Sequence, residues 1–203
     1  SICDVVLVLK RDAGMGNAAE IAGILKGVVP SLTMKQLAGA CKFAGFTVTD
    51  AGDAILKMFE LVDALSMARA LFITSWGSYD ASAVVDFLVK GMGIAAPELI
   101  EIVTVIAKDR PMLWIDILTI PALLSRYYQM DAPQAARLMY ASGYTRSRNG
   151  TGYGLRHLVE AVRKFFGISS AYDLIGAIKN CGASPVDVAQ EMSDLSSYRV
   201  SLD

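Results

Sequence analysis

Arginine, tyrosine and glycine crowd one stretch of this chain. Between residues 126 and 165 stand Arg126, Arg137, Arg146, Arg148, Arg156, Arg163 and Lys164, opposed only by Asp131 and Glu160. Five of the eight tyrosines, Tyr127, Tyr128, Tyr140, Tyr144 and Tyr153, lie in the same stretch. A guanidinium fork grips a phosphate through two parallel N–H donors, and a tyrosine ring offers a face on which a base can stack. At the centre runs Thr145-Arg146-Ser147-Arg148-Asn149-Gly150-Thr151-Gly152-Tyr153-Gly154, with three alternating glycines, two arginines and hydroxyl donors. A helix is predicted to start just after it, near Leu155, with Arg156 and His157 following. Exposed backbone amides, a helix N-terminus and guanidinium groups together suit an anion. The candidate anion- or nucleic-acid-binding residues are therefore Arg137, Tyr144, Arg146, Arg148, Asn149, Tyr153, Arg156, His157, Arg163 and Lys164.

The loop matches no standard phosphate motif. A Walker loop needs GxxxxGK[ST], and the lysine and spacing are absent here. A dinucleotide fingerprint needs a preceding strand and GxGxxG, whereas the glycines here read GxGxG. The competing reading is a surface loop whose glycines and arginines only keep it soluble. A protein partner is a third reading, since Tyr and Arg are favoured contacts there as well.

Other chemistry is sparsely represented. His157 is the single histidine, so no zinc-ligand spacing exists and no metal is expected. Cys3, Cys41 and Cys181 are far apart, contain no CxxC pair and are odd in number, which argues against a disulfide framework. Cys41 and Cys181 sit in apolar helical text and read as buried thiols; pairing either with His157 for catalysis has no telling spacing behind it. Asp50 with Asp53, and Glu98 with Glu101, are i,i+3 carboxylate pairs near helix starts, where they offset the helix dipole. Trp76, Trp114 and the nine methionines read as core or interface. No cofactor and no enzymatic activity are expected.

The whole composition sets the frame. The chain has 203 residues, 19 Lys+Arg against 20 Asp+Glu, 54% hydrophobic and 19% charged residues. Mean hydropathy is +0.43, too apolar for a disordered chain and long enough for a full core. The near-neutral total hides two poles. Residues 126–165 hold seven basic and two acidic residues; residues 50–116 hold ten acidic and five basic. No stretch has the length and purity of a spanning helix, and Leu113 to Leu124 is interrupted by Asp116 and Pro121. No basic region precedes the apolar run within Ser1 to Lys10, so no secretory signal is visible; with the odd cysteine count this leans towards an intracellular protein.

Short helices must position these residues. Breaks fall near Gly16, Pro30, Gly45, Gly77, Gly93, Gly143, Gly167 and Gly182, at spacings that suit a helix of about 11 residues and a turn. Asn17 to Glu20, Thr33 to Gln36, Asp131 to Gln134 and Ser184 to Asp187 carry capping patterns. Val84, Phe87, Leu88 and Gly91 follow helical spacing, as do Leu158, Val162 and Phe165. Leu99 to Ile106 reads as a helix buried all round, while Val5 to Leu9 suits either a helix or a strand. Lys42 to Thr47, Tyr140 to Thr145, Phe165 to Ser169 and Asn180 to Ser184 repeat one pattern: a helix end, a glycine, then an apolar or small residue and a hydroxyl cap. Over roughly residues 16 to 192 this resembles degenerate arrays of short helices.

The expected fold is all-α, with about ten short helices in one domain over residues 1–203. Stacked helical hairpins, solenoid-like, and an irregular helical bundle fit equally. The expected function is a non-enzymatic binding or assembly protein. Its Arg/Tyr-rich segment 126–165 engages a polyanion, single-stranded RNA or DNA, and its acidic segment meets the basic face of a neighbouring copy, in the broad style of helical viral nucleoproteins. Two alternatives remain: a scaffold for protein partners, and a membrane-active domain of the pore-forming toxin type using Leu113 to Leu124.

Overall fold

Side-chain caps decide where these helices begin. In the structure, a computed structural model that describes residues 1–72, 74, 77–109, 119–142 and 154–196, Thr33 Oγ1 accepts the Gln36 N–H at 3.2 Å while the Gln36 carboxamide accepts the Thr33 N–H at 2.9 Å. Asp131 and Gln134 exchange the same two bonds at 2.9 and 3.1 Å. Asn17 accepts the Ala19 N–H at 2.8 Å, and Ser184 the Asp187 N–H at 3.1 Å. Ser1 with Asp4 and Thr47 with Asp50 form two further reciprocal caps, and Thr47 is the hydroxyl cap expected at the end of the Lys42 to Thr47 pattern. Each leaves fewer orphan amides at a helix start.

Among the described residues there are twelve α-helices and no strand. They are α1 (Ile2–Arg11), α2 (Ala18–Val28), α3 (Met34–Phe43), α4 (Val48–Met58), α5 (Ala64–Phe72), α6 (Ala81–Asp86), α7 (Ala96–Asp109), α8 (Ile120–Tyr128), α9 (Ala132–Ala141), α10 (Leu155–Phe166), α11 (Ala171–Ile178) and α12 (Pro185–Ser196). The ambiguous stretch Val5 to Leu9 lies in α1. Leu99 to Ile106 is helical, and Leu99, Ile100, Ile102, Val103 and Ile106 are all buried. Gly45 and Gly182 follow helix ends with φ of +73° and +106°, backbone that a side chain rarely tolerates.

The chain divides into two compact units, Ser1–Ile94 and Ala95–Asp203. In the first, α1 packs on α3, α2 on α4 and α3 on α5, while α3 also meets α4. Helices thus contact both the next and the next but one, as stacked hairpins do. Lys10 ties α1 to the end of α3: its Nζ donates to Ala44 O at 2.8 Å and Gly45 O at 3.1 Å, and it lies 4.1 Å from the Phe46 ring centroid. A cation at a helix C-terminus meets the negative end of the dipole. Helix α6 runs on into a π-helical turn, Phe87–Gly91, where the Met92 N–H reaches Phe87 O at 3.1 Å. The buried Phe87 ring lies against the backbone of Gly52 on α4 and of Gly91, and a Cβ at either glycine would come under 3.0 Å from the ring.

The second unit repeats the alternation. Here α8 packs on α10, α9 on α11 and α10 on α12, and α9 also meets α10. Helix α10 touches α8, α9, α11 and α12, and α9 likewise meets four helices, α7, α8, α10 and α11. Its buried residues are Leu158, Val159, Ala161 and Val162.

Candidate functional site

With one side of α10 packed on its neighbours, its polar residues are confined to the other. At 3.6 residues per turn, Arg163, Arg156, Glu160, Lys164 and His157 fall within one arc of about 120°. Arg156, His157, Glu160 and Lys164 are exposed, and Arg163 is half-buried. Arg156 and Arg163 form one edge of the arc, His157 and Lys164 the other; each pair is two turns apart, about 10.5 Å along the axis. Glu160 is the only carboxylate in the arc.

Like α3, α5, α6, α8 and α9, helix α10 has no acidic residue in its first turn. Its N-cap is Gly154, with no side-chain cap. Helices α1, α2, α4, α7, α11 and α12 each carry an acid there. In α10 the first turn holds Arg156 and His157 instead, cations or potential cations at the positive end of the dipole. Arg163 and Lys164 stand in the last turn, where positive charge offsets the negative helix end. Arg137 is exposed on α9, which packs on α10. Arg137, Arg156, Arg163 and Lys164 have no ion pair among the described residues.

Of the ten candidates named from sequence, Arg156, His157, Arg163 and Lys164 therefore share one helix face, and Arg137 occupies a neighbouring helix. Tyr144, Arg146, Arg148, Asn149 and Tyr153 lie outside the described residues, as does most of the glycine-rich loop.

The tyrosines divide differently from expectation. Tyr127, Tyr128 and Tyr140 are half-buried and serve packing. The Arg126 guanidinium lies 5.1 Å from the Tyr127 ring centroid. Burial, and then the Glu98 carboxylate, push the Tyr128 hydroxyl above its ordinary range. The Tyr140 ring covers the turn at Gly182, where a Cβ would sit 3.2 Å from its nearest atom. Among the described residues of this unit the exposed aromatic side chains are Phe165, 41% exposed at the end of α10, and Tyr172, 85% exposed at the start of α11. Tyr172 falls outside the segment that the composition picks out. The signal for it was an aromatic residue on the polar side of a short helix, in line with Lys179 two turns later.

All three cysteines are buried and none forms a disulfide. Burial pushes the Cys41 thiol up to about 12, so it stays protonated at neutral pH and is no nucleophile there. No cluster of three potential metal ligands occurs among the described residues. Four of the ten carboxylates of segment 50–116 are held in local contacts: Asp50, Asp63 and Asp80 accept N–H groups at helix starts, and Asp86 pairs with Lys90 at 3.1 Å. Among the described residues no helix is long and apolar enough to cross a membrane. Neither a protein-family model, nor a curated protein, nor a solved structure matches the chain.

Proposed function

We propose that this chain is a non-enzymatic polyanion-binding protein and that its ligand is single-stranded nucleic acid. The observation that carries this reading is the polar arc of α10. Three permanent cations and one histidine share it with a single carboxylate, and none of the three is neutralised by an ion pair among the described residues. A helix that only needed solubility would mix the signs more evenly on its exposed side. Arg156 in the first turn is unfavourable at the positive helix end and gains from an anion. Binding of this kind needs neither metal nor reactive nucleophile. It does not rest on self-association.

The test is electrophoretic mobility shift with a ~20-nucleotide single-stranded RNA at low salt. Wild type is expected to retard the RNA, Arg156→Ala/Arg163→Ala to do so at roughly tenfold or higher protein concentration, and Arg146→Ala/Arg148→Ala to report whether the glycine-rich loop shares the ligand. Undiminished binding by the α10 variant refutes the placement of the site. No retardation by wild type refutes the function.

A further inference from the structure

We infer that the open face of α11 is a self-complementary surface that joins two copies of this chain about a two-fold axis. Polyanion binding plays no part in this contact. Helix α11 buries Leu174, Ala177 and Ile178 on one side. Lys179 continues the right-handed helical backbone, and its N–H reaches Ile175 O at 2.8 Å, so helical spacing holds through it. At about 100° per residue, Ile175, Lys179, Tyr172 and Gly176 fall within one arc of about 100°, whose middle lies about 160° from the buried side. Tyr172 is 85% exposed, Ile175 45%, and Lys179 is exposed as well. Neither the Tyr172 nor the Lys179 side chain has a hydrogen bond, ion pair or ring contact among the described residues. Glycine is a poor helix former, yet no atom beyond the helix itself lies within 4 Å of where a Cβ of Gly176 would stand. At Gly52 the missing Cβ makes room for the Phe87 ring; at Gly176 the room is left open.

The order of these four residues fixes what fits them. Tyr172 and Lys179 stand about 5 Å along the axis on either side of the midpoint between Ile175 and Gly176. A second α11 laid antiparallel across that midpoint therefore brings the Tyr172 ring of each copy beside the Lys179 ammonium of the other, twice in one contact. The same axis sets Ile175 against Ile175 of the other copy, and Gly176 against Gly176, where two backbones can approach closely. An ammonium over a ring face is an attractive pair, and burying the ring and Ile175 removes apolar surface from water. The positive end of each helix also comes to lie by the negative end of the other. Parallel helices would instead set ammonium against ammonium, so the charges select the antiparallel order. An unrelated partner would have to supply its own ring and cation at that spacing, whereas a second copy carries both. Four residues from each copy make an interface well under the ~800 Å² per partner of a stable complex, so the dimer is weak and forms at high protein concentration.

The experiment is sedimentation velocity on the full chain, free of nucleic acid, from ~10 μM to ~1 mM protein. Wild type is expected to shift from monomer towards dimer across that range. The variants are Tyr172→Lys and Lys179→Glu, each run alone and then as an equimolar mixture. Both positions are exposed, so both variants keep the fold, which circular dichroism checks. Alone, the first opposes two ammonium groups and the second turns a carboxylate to a ring face, so each should dimerise at least about tenfold more weakly. In the mixed dimer one contact becomes a Lys–Glu pair and the other stays the native ring and ammonium. Dimerisation should therefore return in the mixture. Wild type that stays monomeric at ~1 mM overturns the dimer. So does a Tyr172→Lys variant that associates as wild type does, or a mixture that associates no better than its parts. Association that appears only when single-stranded RNA is added belongs to the ligand and overturns it as well.

Discussion

Two buried residues test the packing most sharply. Gly52 lies mid-helix in α4, where alanine is ordinarily better than glycine by about 1 kcal/mol. Here the Phe87 ring occupies the place of a Cβ, and the ring is itself buried and covers Gly91. Overpacking of this kind costs about 1–3 kcal/mol, so the clash outweighs the propensity gain. Gly52→Ala should lower the urea midpoint, and adding Phe87→Leu should recover part of the loss; a rise in stability would show that the ring moves aside freely. Cys41 gives a pH signature. Its folded pKa is raised from an ordinary value near 9 to about 12 by burial. Between those values the unfolded thiol has lost its proton and the folded one keeps it, so the unfolded state binds fewer protons and stability falls as pH rises. Urea melts from pH 8 to 12 should show this decline, and Cys41→Ser should flatten it. An unchanged slope in that variant would remove Cys41 as the source.

At the scale of elements, caps and periods were the legible part. Thr33, Asp131 and Ser184 were identifiable because each pairs a short acceptor with a fitting third residue. Thr47 followed the same rule with Asp50, yet that aspartate was read only as half of a carboxylate pair. Thr47→Ala should destabilise the first unit by about 1 kcal/mol, read from thermal melts, because α4 loses a cap in which side chain and backbone both take part. A change within error would mean that packing alone fixes the start of α4. The wheel of Val84, Phe87, Leu88 and Gly91 correctly predicted one buried side, but not the π-helical turn. That turn depends on how Phe87 meets Gly52, some 35 residues earlier, and no local pattern contains it. For the same reason composition could gather arginines and tyrosines into one segment without telling which rings face outward. Tyr140 was lost to the turn at Gly182, and Tyr172 emerged from beyond the segment's edge.

On the scale of the whole molecule, the charge asymmetry takes a different form from the one composition suggests. The unit Ser1–Ile94 holds eight basic and nine acidic residues, and Ala95–Asp203 holds eleven of each. Neither unit is a basic or an acidic pole. The asymmetry is concentrated within the second unit, on the exposed side of α10. A ligand attracted there meets a local field in place of a net charge, so its affinity must depend on few cations and on salt. For Arg156, Arg163 and Lys164, with or without Arg137, a single strand should give a log–log salt slope of about −2 to −3.

The direct measurement is therefore anisotropy of a labelled single-stranded RNA with wild type and Arg163→Ala/Lys164→Ala, at ~50 and ~200 mM salt. The account predicts that wild-type affinity falls about 20- to 50-fold across that range and that the variant binds more weakly with a slope shallower by about 1.4. Binding that ignores salt, or a variant with the wild-type slope, would contradict the claim that the polar arc of α10 holds the ligand.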